Sequence, residues 1–187
     1  MIPDTAGAFT SERIKRADAE AINKAIRSIL NKFSKGYAMA GSYRRGHNDM
    51  GDIDFILIDA NITSIISALM EKGLMFRIAR HGESVATVIM KNKNRECQVE
   101  FNSTKAASFG AALLHSTGPF NFNIELRTYA KVKNWLLNQH GLYLLATNKR
   151  VAGKTEEQIF NVLGYKFIPP LDRDNGFWRI KDKYRLH

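Results

Sequence analysis

Apolar residues first recur along the chain at helical spacing, with Ile14, Ala17, Ala21, Ala25 and Ile29 three or four residues apart, the stripe of an amphipathic helix. The spacing predicts a helix over 11–33 with Thr10 or Ser11 as its cap. Its other face carries Arg13, Lys15, Arg16, Lys24 and Arg27, and Gly36 ends the segment. The pattern then turns to strands. Short β-branched or alternating runs predict strands over 37–40, 52–58, 75–80, 84–90 and 96–102, with a helix over 62–72 stopped at Gly73. In the last strand Gln98, Glu100 and Asn102 alternate against Cys97, Val99 and Phe101. Beyond Thr104 the period returns to helical, over 106–115, 121–137 and near 156–163. The expected fold class is α/β (α+β): a mixed β-sheet carrying helices over 1–105, then a mostly helical C-terminal lobe over 106–187. The last residues, with Trp178, Arg179, Lys181, Lys183 and Arg185, read as a basic tail.

Composition narrows the class. A chain of 187 residues with 44% hydrophobic residues can bury a core as one domain or two small lobes. Apolar runs such as 55–58 fall far short of the roughly 20 residues a bilayer needs, and residues 1–10 lack the basic start and apolar run of a secretory signal. No membrane association is expected. Cys97 is the only cysteine, which excludes an internal disulfide and a multi-cysteine zinc site. A cytoplasmic setting is the default expectation, with the nucleus left open. The net charge of +10 favours polyanionic partners such as nucleic acid.

Candidate chemistry centres on Asp52 and Asp54. Two residues apart in a strand, their carboxylates share one face while Ile53 and Phe55 enter the other. Such a pair is either solvated at a strand end or neutralised by a hard divalent cation. Eleven and ten residues upstream stand Gly41 and Ser42, in a turn where glycine lets backbone approach an anion and the hydroxyl can bond phosphate oxygens. Arg44 and Arg45 add positive charge there.

The Gly-Ser turn followed at this interval by Asp-x-Asp resembles the signature of the DNA polymerase beta nucleotidyltransferases, the family X DNA polymerases. Glu100 lies seventeen residues before Thr117, the interval between the family's third acid and its Thr-Gly turn; the family's usual residue there is aspartate. Thr117-Gly118, Phe122-Asn123 and Arg127 look like its nucleotide-binding helix. The segment from Thr155-Glu156-Glu157 to Pro169-Pro170-Leu171-Asp172-Arg173 is similar to its C-terminal signature.

The resemblance spans 37–173 and implies a nucleotidyltransferase palm followed by a nucleotide- and template-binding lobe. It implies DNA-directed addition of deoxynucleotides to a primer 3′ end, as in gap-filling repair, by a monomer. Two magnesium ions, replaceable by manganese, would sit on Asp52, Asp54 and Glu100. Gly41, Ser42, Arg45, Gly51, His115, Thr117, Gly118 and Asn123 would hold the deoxynucleoside triphosphate. Arg127 and Lys131 would meet the DNA, a gapped or primer-template duplex. The shape is that of the family's minimal viral members, which lack the lyase domain of larger repair enzymes. A template-independent transferase and a non-catalytic DNA-binding remnant are the competing readings. His115-Ser116 replaces the family's frequent aromatic pair before Thr-Gly, so weak discrimination against ribonucleotides is expected.

Overall fold

The computed structural model of the chain describes residues 13–92 and 95–186. A two-stranded ribbon opens it, β1 (Ile14–Lys15) paired antiparallel with β3 (Asp49–Met50). Helix α1 runs Arg16–Phe33 with Lys15 at its N-cap. It therefore starts later than the pattern predicts, and the predicted caps Thr10 and Ser11 lie outside the described residues. Its buried stripe is also rotated. Ala19, Ile22, Ile26, Ile29 and Leu30 face the core while Ala17, Ala21 and Ala25 are exposed, because isoleucine and leucine bury far more apolar area than alanine does.

After β2 (Tyr37–Met39) comes the short helix α2 (Gly41–Arg44), and after β4 (Ile53–Ile58) comes α3 (Ile62–Glu71), capped by Asn61 through Ser64 N–H. β5 (Met75–His81), β6 (Val85–Asn92) and β7 (Arg95–Thr104) complete a five-stranded sheet in the order β2-β4-β7-β6-β5. It is mixed, as expected: β4 and β7 run parallel and the other pairs antiparallel. One face is covered by α1 and α3, whose Ile22, Ile26, Ile65 and Leu69 meet Ile53, Phe55, Val99 and Phe101. Phe55 stacks on Phe101 at 5.6 Å. The other face is left for chemistry, apart from a small patch where Ile56 meets Ala112 and Leu113.

The second half holds α4 (Phe109–Thr117), α5 (Phe120–Val132), α6 (Glu156–Val162) and α7 (Phe177–Ile180) around Phe122, Leu126, Phe160 and Phe177. Two expectations are corrected here. The helix predicted over 121–137 stops at Val132, and Trp135–Asn138 forms β8. Asn134 sits in the left-handed region at φ 61°, where asparagine is tolerated, and ends the helix. β8 then pairs with β9 (Gly141–Leu144), and β9 with β10 (Arg150–Ala152), a small antiparallel sheet beside the helices. The basic tail is packed, with Phe177 fully buried. Lys183 bonds Asp172, and the backbone of Leu186 bonds Gly164. Among the described residues no helix is long and apolar enough to cross a membrane.

Candidate active site

The site begins with strand β4, whose Ile53, Phe55 and Leu57 are fully buried under the helices. Burying those side chains leaves Asp54 on the open face of the sheet, with Asp52 just before the strand. Register then builds a row on that face, because side chains of paired residues point the same way. Asp54 pairs with Glu100, Glu100 with Thr87, and Thr87 with Arg80. Burial pushes the Asp54 carboxyl up to about 7, helped by the charges of Asp52 and Glu100 and opposed by Arg45. Asp52 is also raised, by burial first and then by Glu100. Two partly sheltered carboxylates, both raised by burial and by the charge of Glu100, are a donor set suited to a hard divalent cation. Glu100 is turned aside. Asn102 Nδ2 donates to its Oε1 at 2.6 Å, and among the described residues no three ligating side chains converge as a metal-binding group.

Gly41 faces Asp54 across a tight gap. Its φ is +57°, and a Cβ there would lie 2.2 Å from Asp54 Oδ2, so glycine is required both for conformation and for space. Asp52, Asp54, Gly41, Ser42, Arg45, His115, Thr117, Gly118 and Asn123 line one cleft of about 370 Å³, joined by Ser116, Pro119 and Phe120. Glu100 lines a neighbouring groove of about 380 Å³ together with Arg80, Asn102 and His140. His115 and Ser116 form a wall common to both. Gly51 and Lys131 are exposed and line neither. Gly118, at φ +63°, ends α4 in a conformation that favours glycine.

The two residues matched to base and template contacts are gathered on His115 instead of projecting freely. Asn123 Nδ2 donates to the His115 carbonyl at 2.7 Å, and Arg127 Nη2 to His115 Nδ1 at 2.5 Å. Nδ1 must then be the acceptor and Nε2 the protonated nitrogen. Burial lowers the imidazole pKa, as do Arg127 and His140, which favours this neutral form.

Arg44 and Arg45 part company. Arg45 enters the cleft, with Nη1 on the Thr117 carbonyl at 2.6 Å and Nε on Asp174 at 2.8 Å. Arg44 turns away from the expected phosphate site to bond Thr117 Oγ1 and, through two nitrogens, Glu156. The reason is Glu156 itself, 4% exposed, whose buried charge needs partners. Its other partner, Arg173, is 0% exposed. Arg173 bonds Glu156 at 2.8 Å and the Ile168 carbonyl twice, its guanidinium 5.6 Å from the rings of Phe122, Phe160 and Phe167. Neither this network nor Arg80 nor Asp174 emerges from sequence patterning. Both residues have polar flanks, Thr155 and Glu157 beside Glu156 and Asp172 and Asp174 beside Arg173, so nothing local marks them as buried.

Comparison with known proteins agrees with this geometry. The DNA polymerase beta palm family matches residues 13–109, and the DNA polymerase beta thumb family residues 112–174. The chain is 26% identical over 148 residues to the repair DNA polymerase X of African swine fever virus (strain Badajoz 1971 Vero-adapted), covering 78% of this chain and 85% of that protein. It is 25% identical over 167 residues to the DNA polymerase/3'-5' exonuclease PolX of Bacillus subtilis, covering 88% of this chain but 29% of that one. In structure it resembles Leishmania infantum polymerase beta in a ternary P/T complex, with a TM-score of 0.78 and 22% identity over 88% of this chain and 77% of that one.

Proposed function

From the premise that this chain belongs to the DNA polymerase beta family, we propose that it extends a primer 3′ end along a template, filling short gaps in duplex DNA. It is a family X DNA polymerase and so a nucleotidyltransferase; family X enzymes use divalent metals. The observation that carries the finer reading is the cleft in which Asp52 and Asp54, their pKa values raised, face Ser42, Arg45 and the Thr117-Gly118 turn.

In this reading Asp52 and Asp54 would hold the catalytic cations, with Glu100, now bonded to Asn102, as the third acid available to them. Bound magnesium or manganese would supply the positive charge that acidifies the primer 3′ hydroxyl and stabilises the departing pyrophosphate. Ser42 and Arg45 take the triphosphate, as preorganised donors do for transferring phosphoryl groups. Thr117 and Gly118 lie beneath the sugar. Asn123 and Arg127 exchange their bonds to His115 for contacts with the base and the template strand. DNA is held mainly through its phosphates, since a polymerase must accept any sequence. A catalytic palm over 1–105 and a nucleotide-binding lobe over 106–187 are supported by two main cores, one drawn from Ile14 to Phe101 and the other from Ala111 to Phe177.

The test is nucleotide addition on a one-nucleotide gapped duplex, on an open primer-template and on a single strand. We expect addition directed by the template and strongest on the gap. Equal addition to the single strand would replace this reading by that of a template-independent transferase.

Glu100 gives a second measurement. Removing its charge in Glu100→Gln should lower kcat by about a hundredfold, a loss of roughly 2.7 kcal/mol of transition-state stabilisation, while Glu100→Asp should change the rate only modestly. A fully active Glu100→Gln would remove Glu100 from the metal set.

A further inference from the structure

Arg45 is gripped by a residue far along the chain. Asp174 Oδ1 accepts from Arg45 Nε at 2.8 Å, and its other oxygen accepts from His47 Nε2 at 2.7 Å. The contact is part of a docked surface. A Cβ on Gly46, at φ +85°, would fall 2.4 Å from Leu171 Cδ2, so the 45–47 turn lies directly against the 170–175 segment. Arg16 ties the same turn from behind by donating to the carbonyls of Tyr43 and His47.

A guanidinium has five N–H donors in a rigid plane. Asp174 engages Nε–H and the Thr117 carbonyl one Nη1–H, so two of the five are anchored and three remain for a phosphate. Asp54 is the competing destination, since Arg45 already acts on its charge. Without Asp174 a single bond, to the Thr117 carbonyl, anchors the guanidinium, which no longer fixes its plane.

We infer that Asp174, braced by His47, is a positioning residue that holds Arg45 in the orientation in which its free N–H groups meet the triphosphate. This rests on the proposed role of Arg45 in triphosphate binding. Asp174 belongs to the C-terminal segment, so that segment takes part in nucleotide recognition without reaching the nucleotide.

Steady-state gap filling with the full chain tests it, using Arg45→Ala, Asp174→Asn, Asp174→Glu and the Arg45→Ala/Asp174→Asn double variant. Arg45→Ala should raise KM for the deoxynucleoside triphosphate. Asp174→Asn should raise it about 3- to 10-fold with kcat near wild type, the scale of one half-exposed charge-assisted hydrogen bond. Asp174→Glu should recover most of the loss. In the double variant the Asp174→Asn change should add nothing, because its effect runs through Arg45. A normal KM in Arg45→Ala would overturn the triphosphate role of Arg45, and the inference with it. A raised KM in Arg45→Ala with an unchanged KM in Asp174→Asn would overturn the inference alone. So would additive effects in the double variant, or loss of kcat and melting temperature without a KM change.

Discussion

Replacing Asp54 with asparagine should reduce nucleotide addition below about one hundredth of wild type, a barrier increase of at least roughly 2.7 kcal/mol, while making the cation-free protein harder to melt. The first effect follows from removing a charged oxygen donor from the cleft. The second follows from its pKa, raised from 3.8 to about 7 chiefly by burial. A group whose pKa is higher in the folded state contributes stability that is fully present below the unfolded value near 3.8 and is lost as pH rises through about 7. Above pH 7 the folded protein therefore carries a sheltered negative charge at a cost on the order of a few kcal/mol. Asparagine has no such charge. In a chain of this size each kcal/mol moves Tm by about 2–4 °C, so Asp54→Asn should melt several degrees above wild type at pH 8 in chelator. Near pH 4 the two should converge. Thermal melts at both pH values, beside gap-filling rates with magnesium, decide both halves. Activity above about one hundredth would remove Asp54 from the metal set, and a lower Tm at pH 8 would contradict the buried-charge account.

Glu156→Gln should produce the largest loss of stability, about 3–5 kcal/mol, the scale for removing one partner of a buried ion pair. Glu156 carries both Arg44 and Arg173, and Arg173 is fully buried among three phenylalanines. With the carboxylate gone, Arg173 keeps the Ile168 carbonyl but loses the negative charge bonded to it. Its pKa is already lowered by burial and held up by Glu156. At about 2–4 °C per kcal/mol the melting temperature should fall by roughly 6–20 °C. Glu156→Gln combined with Arg173→Met should lie closer to wild type than Glu156→Gln alone, because the stranded charge is then absent. The network also carries the Thr117 hydroxyl through Arg44, so the single variant should raise KM for the nucleotide even at temperatures where it is folded. A Tm within about 2 °C of wild type, under 1 kcal/mol on this scale, would show that the buried pair is energetically idle.

Local pattern makes some of this legible. Strand β4 follows from a run of apolar residues interrupted at one position, and period-two geometry requires Asp54 to face away from Phe55. The same alternation in β7 puts Glu100 opposite Val99 and Phe101. Gly41 and Ser42 stand out because turns carry residue-specific constraints that survive without knowledge of the rest of the chain, whereas Thr117 and Gly118 are legible through the family resemblance. Even α1 is legible as a helix, although not which stripe it buries, since that depends on what the sheet offers to Ile22 and Ile26.

What the sequence by itself determined, then, is the set of elements with a strong period and the residues whose chemistry acts within one turn or one strand. Tertiary structure supplied the reason that Arg45, which the family resemblance assigns to the triphosphate, serves the cleft and Arg44 does not. Arg44 and Arg45 are neighbours of the same kind, and they diverge because Glu156, 112 residues from Arg44, and Asp174, 129 residues from Arg45, each claim one of them. It decided that 135–138 is a strand, since Trp135 to Asn138 gain a ladder with Gly141 to Leu144 that a helical continuation cannot offer. It also decided that Glu100 bonds Asn102 while Asn123 and Arg127 are drawn to His115. The physical reason is the same in each case. A hydrogen-bonding or charged side chain is satisfied by whatever the fold brings within about 3 Å, whether the partner is two residues away, as Asn102 is from Glu100, or over a hundred, as Glu156 is from Arg44, and that choice leaves no period in the sequence.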